Sequence, residues 1–412
     1  MRSRFTLALA ASAAIAMLTA AAGFAQAAGP KAYIGLFKDN AVGVLDTSTN
    51  RLLTTIPIPA GPHGLVVTPD GKTVFASSDG DSKVSVIDTA ADSVRATIEV
   101  GKSPHGLAMT PDGRTILAAV FGANSVVFID AAGGRVTGTV PVASPHNIAL
   151  TPDGRTAYVA SQPKGAFALV TLDVQRMRKT GVVPLDKMPR ALNVSPDGAK
   201  LYFTLAGSDA VQVLDIAGGR ISTQVPVGAS PHHPLFDPQM GTALVVSQGP
   251  GVLSVIDAAK DTVKGTIKVG TLPHWIATSP DGHVAYVTNE GSNDLSVVNL
   301  DTLSVTATVP VGNAPRKIVV QPATSVSAAG VGTEISGFSF VDPIRVKAGQ
   351  AVSWTNRDAV PHTVTSDTGL WDSGDIAAGG TWTRRFTLPG TYAYHCGNHP
   401  AMTATIIVSA GS

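Results

Sequence analysis

A repeat of roughly 42 residues runs through most of this chain and constrains its fold more than any other feature. The dipeptide Pro-His or Pro-Arg opens each unit, and the turn Pro-Asp-Gly recurs inside five of the units. Between these markers, four short runs of strand-forming residues alternate with polar turns. Repeats of this length with four strands each are typical of β-propeller blades. The sequence therefore predicts an all-β fold in which each repeat forms one blade.

The two ends of the repeat region complement each other. Six whole units run from Pro62 to Gly312, whereas residues 31–61 supply three strands without an innermost one. Residues 315–321 supply an innermost strand with nothing after it. Joined, these segments complete a seventh blade and close the ring, which removes exposed sheet edges. The units resemble the YVTN-type seven-bladed propeller repeats of secreted proteins, and this resemblance implies a fold but no activity.

Near the carboxyl end, the chain places its only cysteine among other soft or borderline metal ligands. Cys396 is followed at steps of three residues by His399 and Met402, and His362 lies upstream in a strand-like run. One thiolate and two imidazoles with a weak thioether form the ligand set of a blue-copper electron-transfer site. The alternative is a small buried cysteine with unrelated neighbours, but the joint spacing favours copper.

Residues 333–408 also resemble a cupredoxin of the amicyanin, pseudoazurin and plastocyanin type. The resemblance implies a cupredoxin β-sandwich over 334–412, after a linker over 322–333, with one copper held by His362, Cys396, His399 and Met402. Thr363 stands where many relatives have asparagine, which leaves open how the ligand loops are connected. The matching segments are Phe338–Phe340, Ile344–Gln350, Val352–Asn356, Pro389–Tyr392 and the loop from Tyr394 to Met402.

The amino terminus is typical of a secreted protein. Arg2 and Arg4 precede an apolar run from Phe5 to Ala22 and an Ala-x-Ala site, which predicts a signal peptide over residues 1–27. No later stretch is apolar and long enough to span a bilayer, so we expect a periplasmic or secreted protein without membrane insertion. The net charge of +1 favours no nucleic-acid partner, and one cysteine cannot form a disulfide within the chain.

The second residue of each opening dipeptide should lie at one end of the central channel, which we call the propeller mouth. These side chains can brace neighbouring blades, bind a transition metal or bind an anion through arginine. We expect bracing, with a second metal as the less favoured alternative. The seven residues are His63, His105, His146, Arg190, His232, His274 and Arg316.

Two functions remain open at this point. The favoured hypothesis is an electron carrier whose propeller serves as a docking scaffold for a redox protein partner. The alternative is a two-domain oxidoreductase with a metal or anionic-substrate site at the mouth, supplied with electrons by the cupredoxin copper. The sequence identifies neither the redox partner nor the oligomeric state.

Overall fold

The protein is built almost entirely of β-strands. The computed structural model describes residues 30–237, 241–322, 330–347, 350–367, 371–386 and 390–409. The predicted signal peptide over residues 1–27 lies outside these ranges. Within them, the helical structure is a single 3₁₀ turn, Phe121–Ala123, and no helix has the length and hydropathy needed to cross a membrane.

The first 28 strands form the propeller. In chain order they are β1 (Lys31–Leu36), β2 (Ala41–Asp46), β3 (Arg51–Pro57), β4 (Pro62–Val67), β5 (Thr73–Ser78), β6 (Lys83–Asp88), β7 (Ser93–Glu99), β8 (Pro104–Met109), β9 (Thr115–Val120), β10 (Ser125–Asp130), β11 (Arg135–Pro141), β12 (Pro145–Leu150), β13 (Thr156–Ser161), β14 (Ala168–Asp173), β15 (Arg178–Pro184), β16 (Pro189–Val194), β17 (Lys200–Leu205), β18 (Ala210–Asp215), β19 (Arg220–Pro226), β20 (Pro231–Asp237), β21 (Thr242–Ser247), β22 (Val252–Asp257), β23 (Thr262–Lys268), β24 (Pro273–Thr278), β25 (Val284–Asn289), β26 (Asp294–Asn299), β27 (Ser304–Pro310) and β28 (Pro315–Val320).

These strands form seven four-stranded sheets, and the ring closes as the sequence predicted. Six sheets contain four consecutive strands each, whereas the seventh has the order β28-β1-β2-β3. In that seventh blade, Tyr33 of β1 is paired with Val319 of β28 across an antiparallel ladder. The innermost strands β28, β4, β8, β12, β16, β20 and β24 contact one another in that cyclic order. The seven-bladed propeller is therefore confirmed.

Burial explains why strands of one blade differ in sequence. The second strand of a blade is packed between neighbouring blades, and all six residues of β5 are buried. The outer strand has solvent on its far side, so most residues of β3 are exposed. Apolar residues therefore form continuous runs in the inner strands, whereas the outer strands are largely polar.

Neighbouring innermost strands approach each other closely at the mouth. A Cβ atom added to Gly64 would lie 2.3 Å from the carbonyl oxygen of His105, and one added to Gly106 would lie 2.7 Å from that of His146. Glycine after the mouth histidine is thus required in these blades, because any side chain would collide with backbone of the next blade. The close approach brings the mouth residues of adjacent blades together.

The remaining eight strands form the cupredoxin β-sandwich. They are β29 (Val331–Ser336), β30 (Ser339–Phe340), β31 (Ile344–Lys347), β32 (Gln350–Asn356), β33 (Thr365–Ser366), β34 (Thr381–Phe386), β35 (Gly390–Cys396) and β36 (His399–Ser409). One sheet has the order β30-β29-β32-β34 and the other β31-β36-β35-β33, and both contribute to a core that includes Trp354, Tyr394 and Cys396. Because β29 begins at Val331, it takes in residues 331–333, which the sequence assigned to the linker.

The cupredoxin domain contacts its own propeller at the end opposite the mouth. Arg384, which is only 8% exposed, hydrogen-bonds His283, and Nδ1 of His283 lies 2.8 Å from Oδ1 of Asp301. His283 directly follows the Pro-Asp-Gly turn of its blade, and these turns lie where the innermost strands end. The chain leaves the propeller at the same end, because the side chain of Gln321 donates to the carbonyl oxygen of Gly71.

Candidate functional site

Three of the four predicted copper ligands converge in the cupredoxin domain. The Sγ atom of Cys396 lies 3.6 Å from Nδ1 of His362 and 3.6 Å from Nδ1 of His399. One ligand atom from each of these residues lies within 4.8 Å of the other two. Cys396 and His399 flank the turn between β35 and β36, and His362 comes from the loop before β33. Two imidazole nitrogens facing one buried sulfur suit a trigonal copper site.

The threonine at the position where many relatives have asparagine connects the two ligand loops. The backbone N–H of Thr363 donates to Sγ of Cys396 at 3.2 Å, and its Oγ1 accepts from the N–H of Gly397 at 2.6 Å. That hydroxyl donates in turn to Thr365, 2.7 Å away, because Thr365 uses its own proton on Asp372. These hydroxyl groups thus connect the two ligand loops, which the sequence left open, and the backbone N–H of Thr363 supplies a hydrogen bond to the buried sulfur.

A carboxylate orients the first histidine ligand. Nε2 of His362 lies 3.0 Å from Oδ2 of Asp358, so the protonated Nε2 donates to the carboxylate and Nδ1 keeps the lone pair that faces Cys396. Carboxylate–histidine–metal arrangements fix the tautomer and raise ligand basicity. The backbone N–H groups of Phe338 and Gly337 also donate to Asp358 and hold the pKa of this carboxyl below its usual range.

The second histidine ligand lies closer to solvent and is covered by an aromatic side chain that the sequence analysis did not assign to the site. The ring of Phe338 meets those of His399 and His362 edge to face, at centroid distances of 4.9 and 5.4 Å. Phe338 is nonetheless 52% exposed. A large apolar residue at the turn between two short strands was the available signal, but its contact with the ligands depends on the tertiary fold.

The fourth predicted ligand, Met402, is buried in the same apolar cluster as Cys396. It lies three residues beyond His399 on β36, and its axial role stays a prediction. His395, adjacent to Cys396, is instead bound through Nδ1 to Asp367 at 2.6 Å. His395 is therefore not among the residues that converge at the predicted copper site.

Replacement of Met402 by glutamine should keep copper bound and lower the reduction potential. A thioether is a weak, long axial ligand, whereas the harder amide oxygen favours Cu(II) over Cu(I). Cyclic voltammetry of the purified variant, with elemental analysis for copper, measures both quantities. Complete loss of copper from Met402→Gln, with the fold intact, would contradict an axial role.

The seven predicted mouth residues also come together. Six of them line a cavity of about 270 Å³, together with Gln162, Gln248 and Glu290. His105, the seventh, stacks beneath His63 at a centroid distance of 4.6 Å. One ring nitrogen each from His63, His105 and His146 lies within 4.8 Å of the other two. The six lining residues are His63, His146, Arg190, His232, His274 and Arg316.

A second row of mouth residues was missed by the sequence analysis. In two blades, the residue directly after the second strand is paired with the mouth residue of the next blade. In this row, Asp79 lies 2.6 Å from Nε2 of His105, and Glu290 lies 2.9 Å from Nη2 of Arg316. The signal was a repeat position that differs from blade to blade: Phe37, Asp79, Phe121, Gln162, Ala206, Gln248 and Glu290.

Most of the mouth imidazoles are kept neutral by their surroundings. Burial, followed by the charges of neighbouring histidines, holds the pKa of His63 well below its usual range. Burial also lowers the pKa of His146 to about 4, and burial with the nearby Arg190 charge lowers that of His232 to about 3. These residues are therefore uncharged near neutral pH, which is the form that can bind a metal.

His233 and Trp275, which directly follow the mouth histidines His232 and His274, line a different cavity. His233 stacks on Trp275 at a centroid distance of 3.6 Å, and Nζ of Lys317 lies 3.9 Å from the centroid of the Trp275 ring. They line a cavity of about 570 Å³ with residues further along the innermost strands. Burial lowers the pKa of Lys317 to about 7.

Comparison with known proteins agrees with both halves of the structure. Residues 15–112 and 107–325 match the YNCE-like beta-propeller family, and residues 327–409 match the copper binding proteins of the plastocyanin/azurin family. Amicyanin-alpha of Methylorubrum extorquens is 37% identical over 81 residues, which are 18% of this chain and 68% of that protein. Amicyanin of Paracoccus denitrificans is 33% identical over 94 residues, which are 21% of this chain and 70% of that protein.

Solved structures of low sequence identity share the fold. Hydrazine synthase of Kuenenia stuttgartiensis has a TM-score of 0.61 at 20% identity, covering 65% of this chain and 91% of that one. A protein of unknown function from Desulfotomaculum acetoxidans has a TM-score of 0.61 at 14% identity, covering 71% and 99%. The family matches, together with the converging His362, Cys396 and His399, imply a type 1 copper in the cupredoxin domain. The chain therefore belongs to the YNCE-like β-propeller family and ends in a copper-binding domain of the plastocyanin/azurin family.

Proposed function

We propose that this protein is a periplasmic electron carrier whose cupredoxin domain exchanges electrons with a redox protein and whose propeller serves as a docking scaffold. The copper supplies one-electron cycling between Cu(I) and Cu(II) when bound. The observation that carries the proposal is the surface at His399, the ligand that is partly exposed to solvent. The residues around it determine where a partner can approach the site.

Exposed apolar side chains surround this ligand. Pro400 and Ala401 follow His399 in sequence and are exposed. Phe338, which contacts the His399 ring, is 52% exposed. An apolar surface of this kind, with no charge at its centre, suits a transient contact that excludes water without desolvating ions. We expect electrons to enter and leave through the edge of His399.

The scaffold role of the propeller is supported by the contact between the two domains. Arg384 is buried between the propeller residue His283 and the Trp371 ring, with its guanidinium carbon 4.7 Å from the ring centroid. Such a contact would hold the copper domain in one orientation beside the wide propeller surface. A periplasmic location is supported by the signal-peptide pattern in residues 1–27 and by the likeness to amicyanins.

A negative charge at Ala401 should slow electron exchange without altering the copper site. Electron self-exchange between copies of the protein brings two His399 surfaces together, so Ala401→Glu would place like charges in a desolvated contact and reduce the rate about tenfold or more. NMR line broadening in mixtures of the two oxidation states measures this rate. Ala393→Glu, an exposed alanine on β35 away from the surface, is the matched control. Equal rates in all three proteins would show that another surface is used.

A further inference from the structure

We propose that His63, His105 and His146, here called the histidine trio, bind a second transition-metal ion at the propeller mouth. Among the described residues, the trio and the cupredoxin site are the groups whose histidine, cysteine or carboxylate ligand atoms converge within 4.8 Å. The proposal concerns a separate site in a separate domain and does not depend on electron transfer by the cupredoxin copper.

Backbone atoms of the mouth residues already connect neighbouring blades, alongside the contacts that some of the rings make. The carbonyl oxygen of His105 accepts from the hydroxyl of Ser77. In the same repeat position, the carbonyl of His232 accepts from Thr204 at 2.7 Å. The contact between blades is therefore shared between main chain and rings, and His63 and His105 each keep a buried ring nitrogen that this contact does not use.

The rings are also left with unused nitrogen atoms. Within the described part of the chain, the Nδ1 atoms of His63 and His105 are buried and have no hydrogen-bond partner, and His63 is only 9% exposed. A buried polar atom without a partner costs about 1–3 kcal/mol. A metal ion bound by these nitrogens would remove that cost.

Neighbouring groups orient two members of the trio, His105 and His146. The carboxylate of Asp79 lies 2.6 Å from Nε2 of His105, so Nε2 donates its proton and Nδ1 retains a lone pair. The carbonyl oxygen of Arg190 lies 3.2 Å from Nδ1 of His146. When Nδ1 of His146 donates to this carbonyl, the lone pair is on Nε2. The amide nitrogen of Asn147 lies 3.0 Å from both the carbonyl and Nδ1, and it can donate to either of them. Carboxylate and carbonyl partners of this kind accompany histidines that bind metals.

The distribution of charge at the mouth favours a metal that keeps an exchangeable anion. Arg316 is paired with Glu290 at 2.9 Å. Arg190 bonds the neutral groups of Ser230 and Gln248, at 3.0 and 3.3 Å. Three histidine ligands leave a coordination position open, and the cavity of about 270 Å³ provides room for a ligand there. Three neutral imidazoles suit Zn(II) or Cu(II), and Arg190 would attract an anion to the open position.

Metal counting in the full chain tests the proposal. Cys396→Ser removes the thiolate of the cupredoxin site, so the metal that remains reports on the propeller. We expect one Cu(II) or Zn(II) per chain in this background after desalting. We expect none when His63→Ala and His146→Ala are added. Elemental analysis gives the count, and the EPR spectrum of Cu(II) should show coupling to nitrogen nuclei.

The chain that carries Cys396→Ser, His63→Ala and His146→Ala, here called the trio variant, could lose its metal simply by unfolding. Two further sets of variants keep the test decisive in that case. His232→Ala with His274→Ala alters the same repeat positions outside the trio and should retain the metal. Asp79→Asn preserves the volume of the side chain and should weaken metal affinity about 10–100-fold, with an unchanged circular dichroism spectrum.

Several outcomes would overturn the proposal. They are the absence of metal in Cys396→Ser, retention of metal in the trio variant, and unchanged affinity in Asp79→Asn. Phosphate binding by the metal-free chain that is lost in Arg190→Gln, without any metal uptake, would instead identify an anion site.

Discussion

Replacement of Cys396 by serine is expected to remove the intense visible absorption of the copper-loaded protein and to abolish tight copper binding at the cupredoxin site. The absorption of a blue site arises from charge transfer between thiolate sulfur and Cu(II), and Cys396 is the only cysteine in the chain. A serine hydroxyl ionises far above neutral pH and is a poor ligand for Cu(I), so it replaces neither the charge nor the softness of sulfur.

The serine variant should still fold. The N–H of Thr363, which donates to Sγ of Cys396 at 3.2 Å, can donate to a serine oxygen, so no new buried donor loses its partner. Absorption spectroscopy with copper analysis measures the result, and unfolding by urea checks the fold. His395→Ala is the matched control, since this neighbouring histidine bonds Asp367 and faces away from the site. Serine variants that keep the intense band, or alanine variants of His395 that lose it, would contradict the assignment.

The metal-free propeller is expected to lose stability steeply as the pH falls below about 6.5. Burial holds the pKa of His232 at about 3 and those of His233 and His274 well below their usual range, whereas the unfolded chain binds protons near pH 6.5. Unfolding therefore takes up protons in acid. The contribution of these histidines to the free energy of unfolding is fully present above pH 6.5. It falls as the pH decreases towards the pKa values of the folded protein, by about 1.4 kcal/mol per pH unit for each histidine.

The positive charges near His232 and His233 act in the same direction as burial, whereas Glu290, 3.8 Å from Nε2 of His274, favours protonation of that ring. Arg190 and Arg316 lie near His232, and Lys317 lies near His233, so protonation in the folded state is opposed by like charge as well as by burial. Urea unfolding of chelator-treated protein between pH 7.5 and 4.5 measures the slope. His232→Gln should reduce the slope by about one proton. A stability that stays constant over this range would show that the mouth histidines take up protons without unfolding.

The sequence predicted most of the fold because each repeat carries its marker residues within a short stretch of chain. A dipeptide at fixed spacing marks where each innermost strand begins, and β28 completes the sheet of β1 because the terminal repeat is split in a complementary way. Two of the three converging ligands were equally accessible, since Cys396 and His399 belong to one hairpin. Their spacing can therefore be recognised in the sequence without knowledge of the tertiary fold.

The parts that the sequence did not predict depend on contacts between distant segments. The repeat placed seven residues at one mouth but did not show that His63, His105 and His146 converge, because that depends on ring orientations set by neighbouring blades. Asp79 was missed because its position varies from blade to blade. Phe338 was missed because its contact with the ligands depends on the position of the turn between β29 and β30 in the tertiary fold. The start of β29 at Val331 reflects its parallel pairing with β32, which has no local signature.

The attachment of the cupredoxin domain at the Pro-Asp-Gly turns gives the molecule a direction along the propeller axis. The innermost strands are six or seven residues long, which corresponds to about 20 Å between the mouth and the opposite end. The two ends can therefore be occupied at the same time, and a molecule that enters the mouth does not compete with the contact between Arg384 and His283. Transfer of an electron from the copper of one chain to its own mouth would have to traverse the length of the ring. A neighbouring molecule approaching the mouth from outside would have the shorter route.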